Sequence, residues 1–265
     1  MTLPAQVPSV RLPGGRMPQV GFGTWRLRGG QARAAVTAAL SAGYRHIDTA
    51  TMYGNEQEIG DALAASDVDR SDVFLTTKIR SSDLGQERAV LRRSLRALRT
   101  DYLDLWLVHW PPSRASDRRQ LWSELLAARA EGYVRDVGVS NFSLAEIDEL
   151  TEATGETPAV NQIDFGPRRY NEPLLAGHAE RGIAVEGYSG LKNTNLADPV
   201  LARIAATHGV TTAQIVLRWH LEHDVTVIPK SASPDRIAAN IDLSGFRLTA
   251  EEVAAIDSLA SARTQ

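Results

Sequence analysis

Cysteine is absent from the 265 residues, which excludes disulfide frameworks, thiolate metal sites, iron–sulfur clusters and cysteine nucleophiles. An excess of charge is missing too. The 29 basic side chains stand against 32 acidic ones for a net charge of −3, so the electrostatic footprint of a nucleic-acid binder is not there and nucleic acid is not an expected partner. No run reaches the roughly 18 apolar residues that span a bilayer. The segment Met1 to Pro8 lacks both the basic start and the apolar run of about 7–15 residues that mark a secretory signal. A cytoplasmic chain with no membrane partner is therefore expected. Phosphate-cradling signatures are equally thin: Gly21-Phe22-Gly23 lacks the third glycine of a dinucleotide fingerprint, and no phosphate loop ending in Gly-Lys occurs. The glycine pair reads better as a small-residue barrel strand.

Lysine is the other scarcity. Among the 29 basic residues only Lys78, Lys192 and Lys230 are lysines, so each is a chemical choice against arginine, whose fixed planar fork cannot tune a neighbour as a compact ammonium can.

What is present is ordinary in amount, with 43% hydrophobic and 23% charged residues, and ordered in pattern. Ser9-Val10-Arg11-Leu12 and Met17-Pro18-Gln19-Val20 flank the turn formers Pro13-Gly14-Gly15, which predicts a hairpin. Short apolar or β-branched runs then recur near Val20 to Gly23, Arg45 to Asp48, Val73 to Thr77, Leu103 to His109, Arg135 to Val139, Val160 to Ile163, Ile183 to Gly187 and Val225 to Pro229. Helical punctuation stands between them. Leu91, Leu95 and Leu98 form one apolar stripe on an Arg-rich stretch. Ser143 with Glu146 and Thr249 with Glu252 have the spacing of capping boxes, and Asp198-Pro199 opens a helix that Gly209 closes. Eight strand-then-helix units predict an α/β protein, a (β/α)8 TIM barrel whose N-terminal β-hairpin caps the barrel bottom. With no linker or composition shift, residues 1–265 are expected to form one domain.

In such a barrel the active site lies at the C-terminal ends of the strands, and here those ends are polar. The second ends in Asp48, the third in Lys78, the fourth in His109, the fifth in Ser140-Asn141, the sixth in Gln162, the seventh in Tyr188 and the eighth in Lys230. A loop from Asp48 can turn back over the rim at Gly54 and set Tyr53 above the aspartate. A free phenol, with a pKa near 10, exchanges protons poorly at neutral pH, and a neighbouring ammonium lowers it. Lys78 can be that ammonium, held by Asp48, while His109 can hydrogen-bond an incoming carbonyl oxygen. Taken singly, these residues read equally well as an ion pair, a rim residue and a satisfied core histidine. Together they read as a tuned acid beside a carbonyl-positioning imidazole.

Past the eighth strand, Lys230, Ser231, Arg236 and Asn240 surround a predicted helix start, the position where barrels commonly hold phosphate. A solvated basic loop is the plainer alternative. His220 and His223 share a helix face, but no carboxylate-rich strand end converges on them, so no metal is expected.

These residues resemble the aldo-keto reductases. The likeness is carried by His46-Ile47-Asp48-Thr49-Ala50 running to Tyr53-Gly54-Asn55-Glu56, by Val108-His109-Trp110-Pro111, by Gly138-Val139-Ser140-Asn141-Phe142, by Val160-Asn161-Gln162 and by Ile228-Pro229-Lys230-Ser231. It extends from about Leu12 to Leu259. The resemblance implies a catalytic tetrad of Asp48, Tyr53, Lys78 and His109 and the coenzyme NADPH/NADP+. By the same resemblance Ser140, Asn141 and Gln162 hold the nicotinamide carboxamide, Tyr188 stacks on its ring, and Lys230, Ser231 and Arg236 bind the 2′-phosphate. Ser189, Leu191 and Asn240 join the coenzyme contacts, and Trp25, Met52 and Trp110 line the wall for a small carbonyl substrate. A monomer is expected. Three departures from the family pattern stand out: Gly190 replaces a proline and should loosen the loop over the coenzyme, Ala239 removes an adenine contact, and only Ala260 to Gln265 follow Leu259, which should leave the pocket open on one side. Two alternatives stay open, a coenzyme-sensing binding protein on the same barrel and a Schiff-base aldolase using Lys78 or Lys230.

Overall fold

The computed structural model describes residues 7–263; the leader reading of Met1 to Gln6, and Thr264 and Gln265 of the short tail, lie outside the described residues. Strands β1 (Ser9–Leu12) and β2 (Gly15–Pro18) form the expected antiparallel hairpin, with Leu12 opposite Gly15 and Ser9 opposite Pro18. Its apolar side chains set its place. Leu12 and Met17 are buried in one cluster with Phe74, Ala159 and Val160 from the N-terminal ends of barrel strands and with Leu105 and Leu107 further along β6, and the Gly14 amide donates to Asp136 Oδ1 at 2.8 Å. The hairpin therefore plugs the floor.

The barrel strands are β3 (Phe22–Gly23), β4 (His46–Asp48), β5 (Phe74–Ile79), β6 (Leu103–Val108), β7 (Val134–Ser140), β8 (Val160–Asp164), β9 (Ala184–Tyr188) and β10 (Thr226–Val227). They pair in parallel and in chain order from β3 to β10. Closure comes from a parallel bridge between Val20 and Val227, with Gly21 N donating to Val227 O and Val227 N to Gln19 O, both at 2.8 Å. The two glycines of the incomplete fingerprint belong to this seam. A Cβ on Gly21 would lie 2.7 Å from the His46 ring, and one on Gly23 2.7 Å from Ile228 O, so they permit close strand approach and cradle no phosphate.

The helices are α1 (Gly29–Ser41), α2 (Glu56–Ala64), α3 (Glu87–Leu98), α4 (Ala115–Ala130), α5 (Leu144–Thr154), α6 (Glu172–Glu180), α7 (Pro199–His208), α8 (Thr212–Glu222), α9 (Pro234–Ile241) and α10 (Ala250–Asp257). On α3 the buried stripe is Val90, Leu91, Leu95 and Leu98, with arginines outward. Both expected capping boxes form, and a third joins Thr211 to Gln214 at α8. The regular alternation breaks after β9, where α7 and α8 follow in succession and build a second apolar cluster around Phe165, Leu201, Ile215 and Trp219. No single helix among the described residues is long and apolar enough to cross a membrane.

Candidate active site

Asp48, Lys78 and His109 come from the mouth ends of β4, β5 and β6, and all are buried. The Lys78 ammonium, with a fully buried side chain, donates to both Asp48 oxygens at 2.7 Å and to Thr49 O at 2.8 Å. Its three protons are thus all committed. Burial is the largest single influence and works against its charge, but the opposing influences, the Asp48 carboxylate first among them, together hold the ammonium above its ordinary pKa. A lysine so placed has no free lone pair, which tells against the Schiff-base reading at Lys78.

Tyr53 rides on a short turn, Thr51–Tyr53, closed by Gly54 in the left-handed region at φ 64°. The turn is tied down on every side. Thr51 Oγ1 donates to Lys78 O at 3.0 Å, and Arg28 Nη1 donates to Tyr53 O at 2.6 Å. Buried Asn55 accepts from Thr49 Oγ1 and donates to Thr24 O and Leu27 O. The phenol ring is held 5.2 Å from Lys78 Nζ and 5.8 Å, edge-on, from the His109 ring. Burial lifts its pKa above the ordinary tyrosine value and Lys78 offsets only part of this. The direction differs from the sequence expectation of a lowered phenol because desolvation, which only packing reveals, outweighs the ammonium. His109 moves the other way: burial, then Lys78, drives it down to about 3, so the imidazole is neutral. Its Nδ1 is buried without a partner.

Beside this group the mouth ends of β7, β8 and β9 make a second cluster. Ser140 Oγ donates to Gln162 O at 2.9 Å. Asn141 Nδ2 donates to Ser140 Oγ and His109 O, and the Tyr188 hydroxyl donates to Asn141 Oδ1 at 2.7 Å. Asn141 and Ser189 hold left-handed backbone at φ 64° and 60°, a conformation whose cost of order 1 kcal/mol is common at functional sites. Gln162 points inward. Its amide donates to Asp48 Oδ2 at 2.9 Å and to Glu186 Oε2 at 2.8 Å. Both donors being used, its carbonyl oxygen is what it has to offer a ligand.

The cations after β10 gather as expected. Lys230 and Arg236 are exposed and Ser231 is buried, with Arg236 Nε 3.3 Å from Ser231 Oγ. Asn240 is buried on the last turn of α9, and the N-cap Ser233 makes no side-chain cap, leaving first-turn amides to other acceptors. Leu191 is half-buried against the apolar clusters. Trp25, Met52 and Trp110 are 39%, 50% and 50% exposed, each on a loop leaving a strand end, so they offer apolar surface at the mouth. Arg26 and Lys192 lie 4.3 and 4.9 Å from the Trp25 ring centroid. A cavity of about 360 Å³ lined by Val7, Gln19, Arg218, Glu222 and Arg247 sits elsewhere and gathers none of these side chains. Sequence reasoning missed Arg28 and Glu186, and it placed Asn55 in a motif without a role. For Glu186 one signal existed, a lone carboxylate inside the apolar strand Ala184-Val185-Glu186-Gly187.

The model of the "Aldo/keto reductase family" matches residues 19–261. An aldo-keto reductase of Mycolicibacterium smegmatis is 44% identical over 93% of this chain and 90% of its own. The 2,5-diketo-D-gluconic acid reductase B of a Corynebacterium species is 42% identical over 97% and 95%. Among solved structures, an aldo/keto reductase from Brucella melitensis superposes with a TM-score of 0.92 at 42% identity, covering 96% of this chain and 99% of that one. A Bombyx mori aldo-keto reductase in complex with NADP gives 0.88 at 35% identity, over 96% and 93%.

Proposed function

The chain belongs to the aldo/keto reductase family, and from that premise we propose that it is an NADPH-dependent reductase of small aldehydes and ketones in which Tyr53 supplies the proton. The observation that carries the reading is the buried Asp48–Lys78 pair beside a protonated phenol and a neutral imidazole.

The residues of the mouth fit the coenzyme by the chemistry of their donors. Tyr188 is half-buried with its hydroxyl tethered to Asn141, which leaves a ring face to stack on nicotinamide. Ser140, Asn141 and the Gln162 carbonyl oxygen supply polar partners for a carboxamide. Arg236, Lys230 and the open first turn of α9 suit a phosphate dianion. Ser189, Leu191 and Asn240 complete the coenzyme side in this reading. When bound, NADPH supplies the hydride that reduces the carbonyl carbon.

The chain's own groups manage the oxygen. Neutral His109 can offer an N–H to the carbonyl without competing for the proton. Tyr53, kept protonated by burial, donates its proton to the oxygen as negative charge develops there. Lys78 stabilises the phenolate left behind, and Asp48 fixes the ammonium that does so. Trp25, Met52 and Trp110 form the apolar wall for the substrate's remaining carbons. The name of the Corynebacterium relative, a diketo-sugar-acid reductase, supports polar keto acids in the substrate panel.

The test follows NADPH absorbance with aldehydes, ketones, keto acids and diketo sugars, for the wild type and Tyr53→Phe. Turnover that survives the substitution contradicts the assignment. Coenzyme binding with no turnover of any carbonyl would favour the coenzyme-sensing alternative.

A further inference from the structure

Beneath the site lies a carboxyl group that the mechanism above leaves unused. Glu186, in the middle of β9, is fully buried. Its Oε2 accepts from the same Gln162 amide that donates to Asp48, so one side chain links the two carboxyl groups. Its Oε1 has no hydrogen-bond donor and lies 3.5 Å from His46 Nε2.

The other face of that imidazole decides what the contact requires. His46 Nδ1 lies 3.0 Å from Pro18 O. A carbonyl oxygen only accepts, so Nδ1 carries the hydrogen and the neutral ring turns the lone pair of Nε2 toward Oε1. Thr76 Oγ1, 3.3 Å from Nε2, gives Oε1 no donor. Two lone pairs facing each other in a dry interior repel, and one proton between them turns repulsion into attraction.

We propose that Glu186 is a positioning residue of the reaction site, holding one proton against His46 and thereby keeping Asp48 the sole carboxylate charge beneath Lys78 and Tyr53. The proposal rests on the Tyr53 reading. The surrounding groups agree with it. His46 and Asp48 face Glu186 from β4, Thr76 and Lys78 from β5, and Gln162 from β8. Thr226, its register partner on β10, has a buried hydroxyl without a partner, and Asp104 acts on His46 from β6. Burial, reinforced by the Asp48 charge, pushes Glu186 up to about 8, while burial drives His46 down. Ionised Glu186 would raise the Tyr53 phenol further and weaken it as an acid.

Tyr53 and Lys78 are held above their ordinary values and His109 far below its own, which leaves Glu186 to titrate just above neutral. In the wild type, carbonyl reduction should fall about tenfold between pH 7 and pH 9, a one-proton loss, and in Glu186→Gln the fall over the same interval should shrink to about twofold. The infrared spectrum at pH 7 should hold a protonated-carboxyl C=O band that is missing in Glu186→Gln and fades in the wild type by pH 9. His46→Gln, whose amide can donate to Oε1, should move both the fading of the band and the kinetic fall toward lower pH. Identical kinetic profiles in wild type and Glu186→Gln, no band difference between them, or an unmoved titration in His46→Gln overturns the proposal. The infrared band does not depend on the role of Tyr53, so a failure of the proton-donor reading would show separately, as turnover retained in Tyr53→Phe.

Discussion

Two of the barrel's strand-borne carboxylates, Asp48 near the mouth and Asp104 near the floor, are paired by different chemistry. At the mouth Asp48 meets a single lysine with no exposed surface. At the floor Asp104 meets two arginines, Arg70 at 2.8 Å and Arg135 at 3.1 Å, with side chains 23% and 46% exposed. Both floor guanidiniums also lie over the Tyr102 ring, 4.1 and 4.3 Å from its centroid, and Asp104 accepts the Leu75 amide as well. Planar forks that stack and bridge suit a fixed brace between strands. A compact ammonium beside a phenol suits a site whose charge must act on a neighbour. In a chain with three lysines, the one that is buried pairs with Asp48 and lies 5.2 Å from the Tyr53 ring.

The largest effect expected from breaking the mouth is that of Tyr53→Phe, a loss of about 10²–10⁴-fold in turnover, the usual worth of a positioned proton donor, with coenzyme affinity nearly unchanged. Fluorescence titration with NADPH alongside steady-state kinetics separates the two quantities. Parallel losses in both would place Tyr53 among the binding groups instead.

Lys78→Arg sharpens the comparison because it puts the floor's chemistry at the mouth. The guanidinium keeps the charge but must enter a space in which Nζ already makes three contacts of 2.8 Å or less. Overpacking should cost about 1–3 kcal/mol of stability, and the misplaced charge should lower turnover by about 100-fold. Urea unfolding and kinetics on the same preparation check both. Normal turnover would mean that only the charge matters at this position.

Next in size is Arg236→Ala. The side chain is exposed, so its loss should leave folding alone while removing a charged hydrogen bond of about 1.5–3 kcal/mol to the 2′-phosphate. That corresponds to roughly 10–150-fold weaker binding of NADPH. NADH, which lacks the phosphate, should bind as before. Equal losses for both coenzymes would put the phosphate elsewhere.

These substitutions rest on residues that were legible before any coordinates, and the reason is physical. Buried parallel strands are short apolar runs bounded by turn formers, so all eight were placed to within two or three residues, β5 running on to Ile79 and β10 shortening to Thr226–Val227. Capping boxes announce helix starts locally, and the polar strand ends named Asp48, Lys78 and His109. Packing is not written locally. The direction of the Tyr53 shift depends on how much water the surrounding atoms exclude. Glu186 matters through His46 and Gln162, 140 and 24 residues away in the chain. Gly21 and Gly23, read as a small-residue barrel strand, lie in the closing seam with β10, but which atoms come close enough to exclude a Cβ there is set by packing alone.

The smallest effect expected is at the floor, where Arg70→Lys makes the reverse exchange. Arg70 spends its fork on several partners at once, Asp104, Thr100 Oγ1, Val73 O and Tyr102 O, and lysine cannot reach them all from one nitrogen. Asp104 would nevertheless keep Arg135 and the Leu75 amide, so its charge would not be stranded. The case differs from removing one partner of a buried pair, which costs about 3–5 kcal/mol. With Arg70 partly exposed, the change should be about 1 kcal/mol or less and should shrink further in salt. Turnover and coenzyme affinity should match the wild type, since none of these partners reaches the mouth. Measuring Tm at low and high ionic strength gives the first quantity, and the NADPH assay the second. A large fall in turnover with Tm unchanged would mean that floor and mouth are coupled through β5 and β6, and that the division between brace and tuned site is wrong.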